Sequence, residues 1–178
     1  MLQIICILVI VIGLTIITPF IKNMERYNAS RMILWIMFCV YVIGNMYCTI
    51  FSRVFGSGVT VELRPLMSIF RLFGEPMEGE GRVVGFFARF MNDSAPYTGI
   101  ILNILLYYPL GYLVPILFPK FKPKHVIMIG CLCSIATEAI QYFLKLGWCE
   151  TDDVIYNTLG TAIGVWVWLW QARKRQTQ

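Results

Sequence analysis

Residues 126–144 read VIMIGCLCSIATEAIQYFL, and this stretch decides the fold. It is nineteen residues long and carries a single charge, Glu138. The hydrocarbon core of a bilayer needs about 20 apolar residues per helix, with a working range of about 17–25. Four further segments meet that length: 2–21, 32–51, 97–118 and 154–170. None of these four contains a charged residue. The pattern predicts an all-α integral membrane protein with five transmembrane helices, forming a single membrane domain over residues 1–178.

Composition excludes the competing classes. The chain is 58% hydrophobic and 14% charged, with a mean hydropathy of +0.69. Soluble domains carry about 25% charged residues and at most about 50% apolar ones. A soluble enzyme, a disordered chain and a coiled coil are all incompatible with so much unpatterned apolar sequence. The first apolar run resembles a signal peptide in place only. It has no basic residues before it and no small-x-small cleavage pattern, so it reads as a retained span. Cysteine supplies no disulfide framework, since most of the six cysteines lie in apolar runs, where a free Cys acts as a small hydrophobe. Cys131 and Cys133 point apart on a helix, and His125 stands alone, so neither a metal site nor a cofactor is expected.

The net charge of +5 reflects topology rather than nucleic-acid binding. Lys22, Arg26 and Arg31, then Lys120, Lys122 and Lys124, then Arg173, Lys174 and Arg175 all fall on one side of the predicted spans. By the positive-inside rule that side is cytoplasmic, with the N-terminus outside and the C-terminus inside. The long outer loop, 52–95, contains two apolar stripes at helical spacing. Leu66, Ile69, Phe70 and Phe73 form one; Val83, Phe86, Phe87 and Phe90 form the other. Gly74, Pro76, Gly79 and Gly81 separate them. Two short interfacial helices are expected, lying in the outer headgroups or capping the bundle, and pattern alone leaves both open. Asp93 and Ser94 then cap the start of the third span.

Polar groups inside spans mark contacts or sites, because lipid offers them no partners. Ser134, Glu138, Gln141 and Lys145 recur on one face of the fourth span, and Asp153, Asn157, Gly160 and Gly164 on one face of the fifth. Asn45, Thr49 and Arg53 share a face of the second span, and Asn103 and Tyr107 one of the third. At the helical rise, Asn157 lies about 5 Å below the outer end of its span, and Asn103, Asn45 and Glu138 about 9 Å below theirs. Four helices thus place polar side chains in one layer. The reading is an outward-facing polar pocket of Glu138, Gln141, Ser134, Asp152, Asp153, Asn157, Asn103, Arg53 and Asn45, with Glu138 at its floor. Taken singly, Asn45 and Asn103 read as interhelical hydrogen-bonding residues. Gly160-x-x-x-Gly164 reads as a close-packing surface, Pro109 with Gly111 as a kink, and Trp148, Trp166, Trp168 and Trp170 as interfacial or lipid-facing residues.

Ser134-x-x-x-Glu138-x-x-Gln141 followed by Thr151-Asp152-Asp153-Val154-x-x-Asn157-Thr158-x-Gly160-x-x-x-Gly164 resembles the signature of the VanZ-like family. Asn103-Ile104-Leu105-Leu106-x-x-Pro109-Leu110-Gly111 and Ser52-Arg53 with Leu63-x-Pro65-Leu66 extend the resemblance, which covers about residues 32–170. The family is named for a membrane protein of glycopeptide-resistant bacteria linked to teicoplanin resistance. One departure stands out: where relatives have an arginine shortly before the acidic pair, this chain has Trp148-Cys149-Glu150. Arg53 or another loop arginine then has to offset the acidic cluster.

The resemblance implies a small helical protein of the bacterial cell membrane whose family has no settled biochemical activity, and the reading chosen is a non-enzymatic one that binds an amphipathic ligand. Its partners would be membrane lipids, a lipid-linked cell-wall precursor or the acyl-bearing lipoglycopeptide itself. The alternative is an intramembrane enzyme in which Glu138 works with Asp152 or Asp153 on a polyprenyl phosphate. An ion-coupled transporter fits less well, since no internal repeat is present.

Overall fold

A computed structural model describes residues 2–22, 27–73 and 95–176. The described chain is mostly helical. Helices α1 (Leu2–Lys22) and α2 (Tyr27–Met46) come first, and α2 runs on into a π-helical turn, Tyr47–Phe51. A short strand β1 (Gly58–Glu62) and helix α3 (Met67–Phe73) follow. The remainder is α4 (Ala95–Leu117), α5 (Pro123–Phe143), β2 (Leu146–Glu150) and α6 (Thr151–Gln176).

Three helical segments, Ala29–Phe51, Tyr97–Leu117 and Pro123–Phe143, are long and apolar enough to cross a membrane. They coincide with the predicted second, third and fourth spans. The predicted first and fifth spans lie on α1, 21 residues, and α6, 26 residues. In α1 the described apolar stretch is shorter, Ile10–Pro19. Helix α6 is less apolar because it carries Asp152, Asp153, Asn157 and the terminal Arg173, Lys174 and Arg175; Asp152, Asn157 and Thr161 are buried within the protein.

The tightest seam joins α4 to α6, and its cause is glycine. A methyl added to Gly160 would run into the carbonyl of Ile104, and one on Gly164 into that of Tyr108. From the other side, Gly111 of α4 meets the carbonyl of Thr161. Small residues let backbones approach, which is how helices associate where the hydrophobic effect gives no drive between them. The predicted Gly160–Gly164 packing surface is therefore seen, and Gly111 joins it. Pro109 and Pro115 lie within one uninterrupted α4. Helix α1 also packs on α4, with Val11 and Leu14 against Tyr108, Tyr112 and Leu113. There Thr15 Oγ1 and the Tyr108 hydroxyl share a 2.8 Å hydrogen bond, and the Tyr112 hydroxyl donates to Gln171 Oε1 at 2.7 Å.

The two strands were not foreseen from sequence, which predicted helices and loops only. They pair in parallel, Gly58 with Leu146 through Glu62 with Glu150. Parallel neighbours need a long crossover, and here α3, α4 and α5 provide it. Lys145, at φ +54°, ends α5 in the left-handed conformation typical of the residue after a helix cap. Gly147 follows at φ +101°. Lys145 is consequently exposed and off the helix, so it does not continue the Ser134–Glu138–Gln141 face as its spacing suggested. Arg53 likewise lies beyond its helix, because the π-turn ends at Phe51.

Helix α3 coincides with the first predicted loop helix and packs against α4, with Ile69 half-buried and Phe70 exposed. The second stripe, Val83 to Phe90, and the Asp93–Ser94 cap lie outside the described residues. Trp148, Trp166 and Trp170 are exposed, whereas Trp168 packs against the α1–α4 cluster.

Candidate functional site

The end of the molecule where α5 passes through β2 into α6 gathers most of the predicted polar residues, and it divides them between two environments. One set is buried in the protein and holds backbone in place. Asp152 begins α6 and is almost fully buried. Its carboxylate accepts the backbone N–H groups of Leu66 and of Ser68, the latter at 2.6 Å. These are N–H groups at the start of α3, which lack partners within their own helix. Thr151 adds a second tie, donating to the Leu63 carbonyl at 3.2 Å. Glu138 is buried, and its Oε2 accepts the backbone N–H of Glu150 at 3.1 Å. Asn157 donates to Ser134 Oγ at 2.8 Å, joining α6 to α5. Gln141 donates to the Thr49 carbonyl in the π-turn at 2.9 Å. Asn45 reaches from α2 to the Leu106 carbonyl of α4 at 3.4 Å. This is the interhelical role its sequence context indicates.

The second set lines a cavity of about 650 Å³ walled by the π-turn, α4, β2 and the start of α6. Arg53, Asn103 and Asp153 are the predicted residues in its wall, and Thr49, Ser52, Trp148 and Glu150 line it as well. Asn103 donates to Asp153 Oδ1 at 2.6 Å. Arg53 Nη1 points to the carbonyls of Leu146 and Trp148, 3.4 Å from each. Trp148 and Glu150 were not predicted as site residues. Strand alternation puts residues two apart on the same face, so the pattern was readable once a strand was recognised. Gly147, between two apolar residues just after a helix, was the available signal.

The expected arrangement, with Glu138 as the floor of one chamber, is therefore modified. Glu138 meets the cavity through the backbone of Glu150, which it anchors, while Asp153 and Asn103 supply the polar surface. Behind β2, the Cys149 thiol donates to the Glu138 carbonyl at 3.8 Å. Burial, and then the neighbouring Glu138 carboxylate, push that thiol up to about 11.

An apolar cavity lies beside the polar one. A trough of about 470 Å³ between α1, α2 and α4 is lined by Val11, Leu14, Met37, Val40, Leu105 and neighbouring residues. Ile7, Cys48 and Leu106 belong to both walls. The polar cavity and the apolar trough thus share part of one wall.

A family model described as VanZ/LLP1 matches residues 32–172. The chain belongs to the VanZ-like family. The matched region contains every one of the motif residues from Arg53 to Gly164, including both the buried anchors and the cavity wall. No curated protein matches the chain, and no solved structure does.

Proposed function

We propose that this VanZ-like chain is a multi-pass protein of the bacterial cell membrane that holds an amphipathic ligand in an outward-facing pocket. Its five apolar helices would cross the bilayer, with the N-terminus outside and the C-terminus in the cytoplasm, as the distribution of Lys and Arg favours. The ligand would be a lipid-linked envelope component or an acyl-bearing glycopeptide of the teicoplanin type, and through it the protein would contribute to glycopeptide resistance.

One observation carries the reading: the polar cavity bearing Arg53, Asn103 and Asp153 shares its wall with the apolar trough. A site with a few placed polar groups and a largely apolar lining suits a molecule with a polar head and a hydrocarbon tail. In the enzymatic alternative Asp153 rather than Asp152 would have to partner Glu138, since both oxygens of Asp152 are engaged by backbone N–H groups.

Native mass spectrometry of the full chain released from membranes tests the proposal. Wild type should retain a lipid-sized ligand. Leu106→Trp, at the junction of the two cavities, should lose it while remaining folded. A wild type that retains nothing, or a Leu106→Trp variant that retains as much, contradicts the proposal.

A further inference from the structure

The cavity wall carries one cationic residue, Arg53, and two acidic ones, Asp153 and Glu150. Arg53 and Asp153 both face the cavity. Each is positioned by a different partner: Arg53 by the carbonyls of β2, and Asp153 by the amide of Asn103. They form no ion pair with each other. A guanidinium has five donors, and only Nη1 is directed to the backbone. Asp153 uses Oδ1 for Asn103, and its Oδ2 has no protein donor among the described residues. One wall therefore offers charged N–H donors, and another offers a carboxylate oxygen.

We infer that the head of the ligand is zwitterionic, a phosphodiester carrying an ammonium group, as in an aminophospholipid. This inference rests on the amphipathic-ligand reading of the same cavity. Arg53 takes the phosphate oxygens, since guanidinium donors match that group in charge and geometry. Asp153 takes the ammonium protons through a charge-assisted hydrogen bond. The acyl chains then follow Leu106 and Cys48 into the trough. A head made only of phosphates, as in a polyprenyl phosphate, satisfies Arg53 but sets an anion against Asp153. Such like-charge contact is disfavoured in a partly desolvated site.

The test is competitive lipid exchange into the purified full chain in nanodiscs, read by native mass spectrometry. The probes are phosphatidylethanolamine, phosphatidylglycerol, a polyprenyl phosphate, and phosphatidylethanolamine N-acetylated so that its ammonium is gone. The expected result is that phosphatidylethanolamine is preferred over each of the others by about tenfold, a difference of about 1.4 kcal/mol. Asp153→Asn should bring the phosphatidylethanolamine-to-phosphatidylglycerol ratio close to one, and Arg53→Gln should weaken both. The N-acetylated lipid gives the same information on wild type, independently of whether a variant folds. Equal or better binding of phosphatidylglycerol, the polyprenyl phosphate or the N-acetylated lipid overturns the head assignment while leaving an amphipathic site in place. Exchange of none of the four into wild type overturns the site itself.

Discussion

The α4–α6 seam and the polar end of the molecule are held by opposite means. In the seam, Gly111, Gly160 and Gly164 remove side chains so that backbone meets backbone. At the polar end, Asp152, Glu138 and Gln141 extend side chains to hold backbone at a distance. The first arrangement is dry and leaves no room for a ligand. The second props open a space between the π-turn, α4 and β2. The comparison explains why one face of α6 can be both a packing surface and a cavity wall: it changes from glycine to carboxylate over two turns.

The largest expected effect breaks the seam. Gly160→Leu places a side chain where the Ile104 carbonyl lies. It should cost more than about 3 kcal/mol, seen as loss of the folded peak in size-exclusion chromatography. Gly44→Ala is the control, because nothing lies within contact distance of its added methyl. It should be neutral, or stabilising by up to about 1 kcal/mol. Similar losses for the two variants would remove the seam as the organising contact.

Asp152→Ala comes next, at the polar end. It strands the N–H groups of Leu66 and Ser68. Hydrogen bonds to charged groups contribute about 1.5–3 kcal/mol each. The loop should detach, so that trypsin cuts after Arg71, on α3, in the variant while wild type resists. Unchanged proteolysis would mean that the clamp does not hold the loop.

Glu138 separates anchoring from charge. Glu138→Ala should cost about 1–3 kcal/mol in detergent-denaturation midpoints, because the Glu150 N–H loses its acceptor. Glu138→Gln retains an acceptor oxygen and should stay within about 1 kcal/mol of wild type. Equal damage from both would give the carboxylate charge, rather than the hydrogen bond, the structural role.

The smallest effect concerns reactivity. The thiolate is the reactive form of cysteine, and burial beside the Glu138 carboxylate pushes the Cys149 thiol up to about 11. Its modification by a membrane-impermeant thiol reagent at pH 8 should run on the order of 100-fold slower than that of a free thiol. The gap should close as the pH rises toward 11, when followed by mass spectrometry of the Cys149 peptide. A fast reaction at pH 8 would contradict its contact with Glu138.

The sequence discloses these two regions unequally. Helical stretches were readable because apolar length is a strong signal, and Gly160-x-x-x-Gly164 was readable because small residues four apart share a face. Asn103 and Asp153, singled out on separate helices, are in contact. The strands were hidden. β1 and β2 are five residues each, far apart in sequence, and their pairing depends on the turn at Lys145 and Gly147. Without that pairing, helical periodicity carried Arg53 and Lys145 onto helix faces they do not occupy. It also made Glu138 the centre of the pocket rather than the anchor of its wall.

The central claim is that the polar chamber and apolar trough together hold one amphipathic molecule. Photo-crosslinking of the full chain in nanodiscs tests it directly, using a phospholipid with a photoreactive group midway along its acyl chain. Peptides carrying Val40, Cys48, Leu105 and Leu106 should dominate the adducts. Adducts spread evenly over the outward residues of α5 and α6, such as Met128, Leu132 and Trp166, would show only surrounding bilayer lipid and contradict the account.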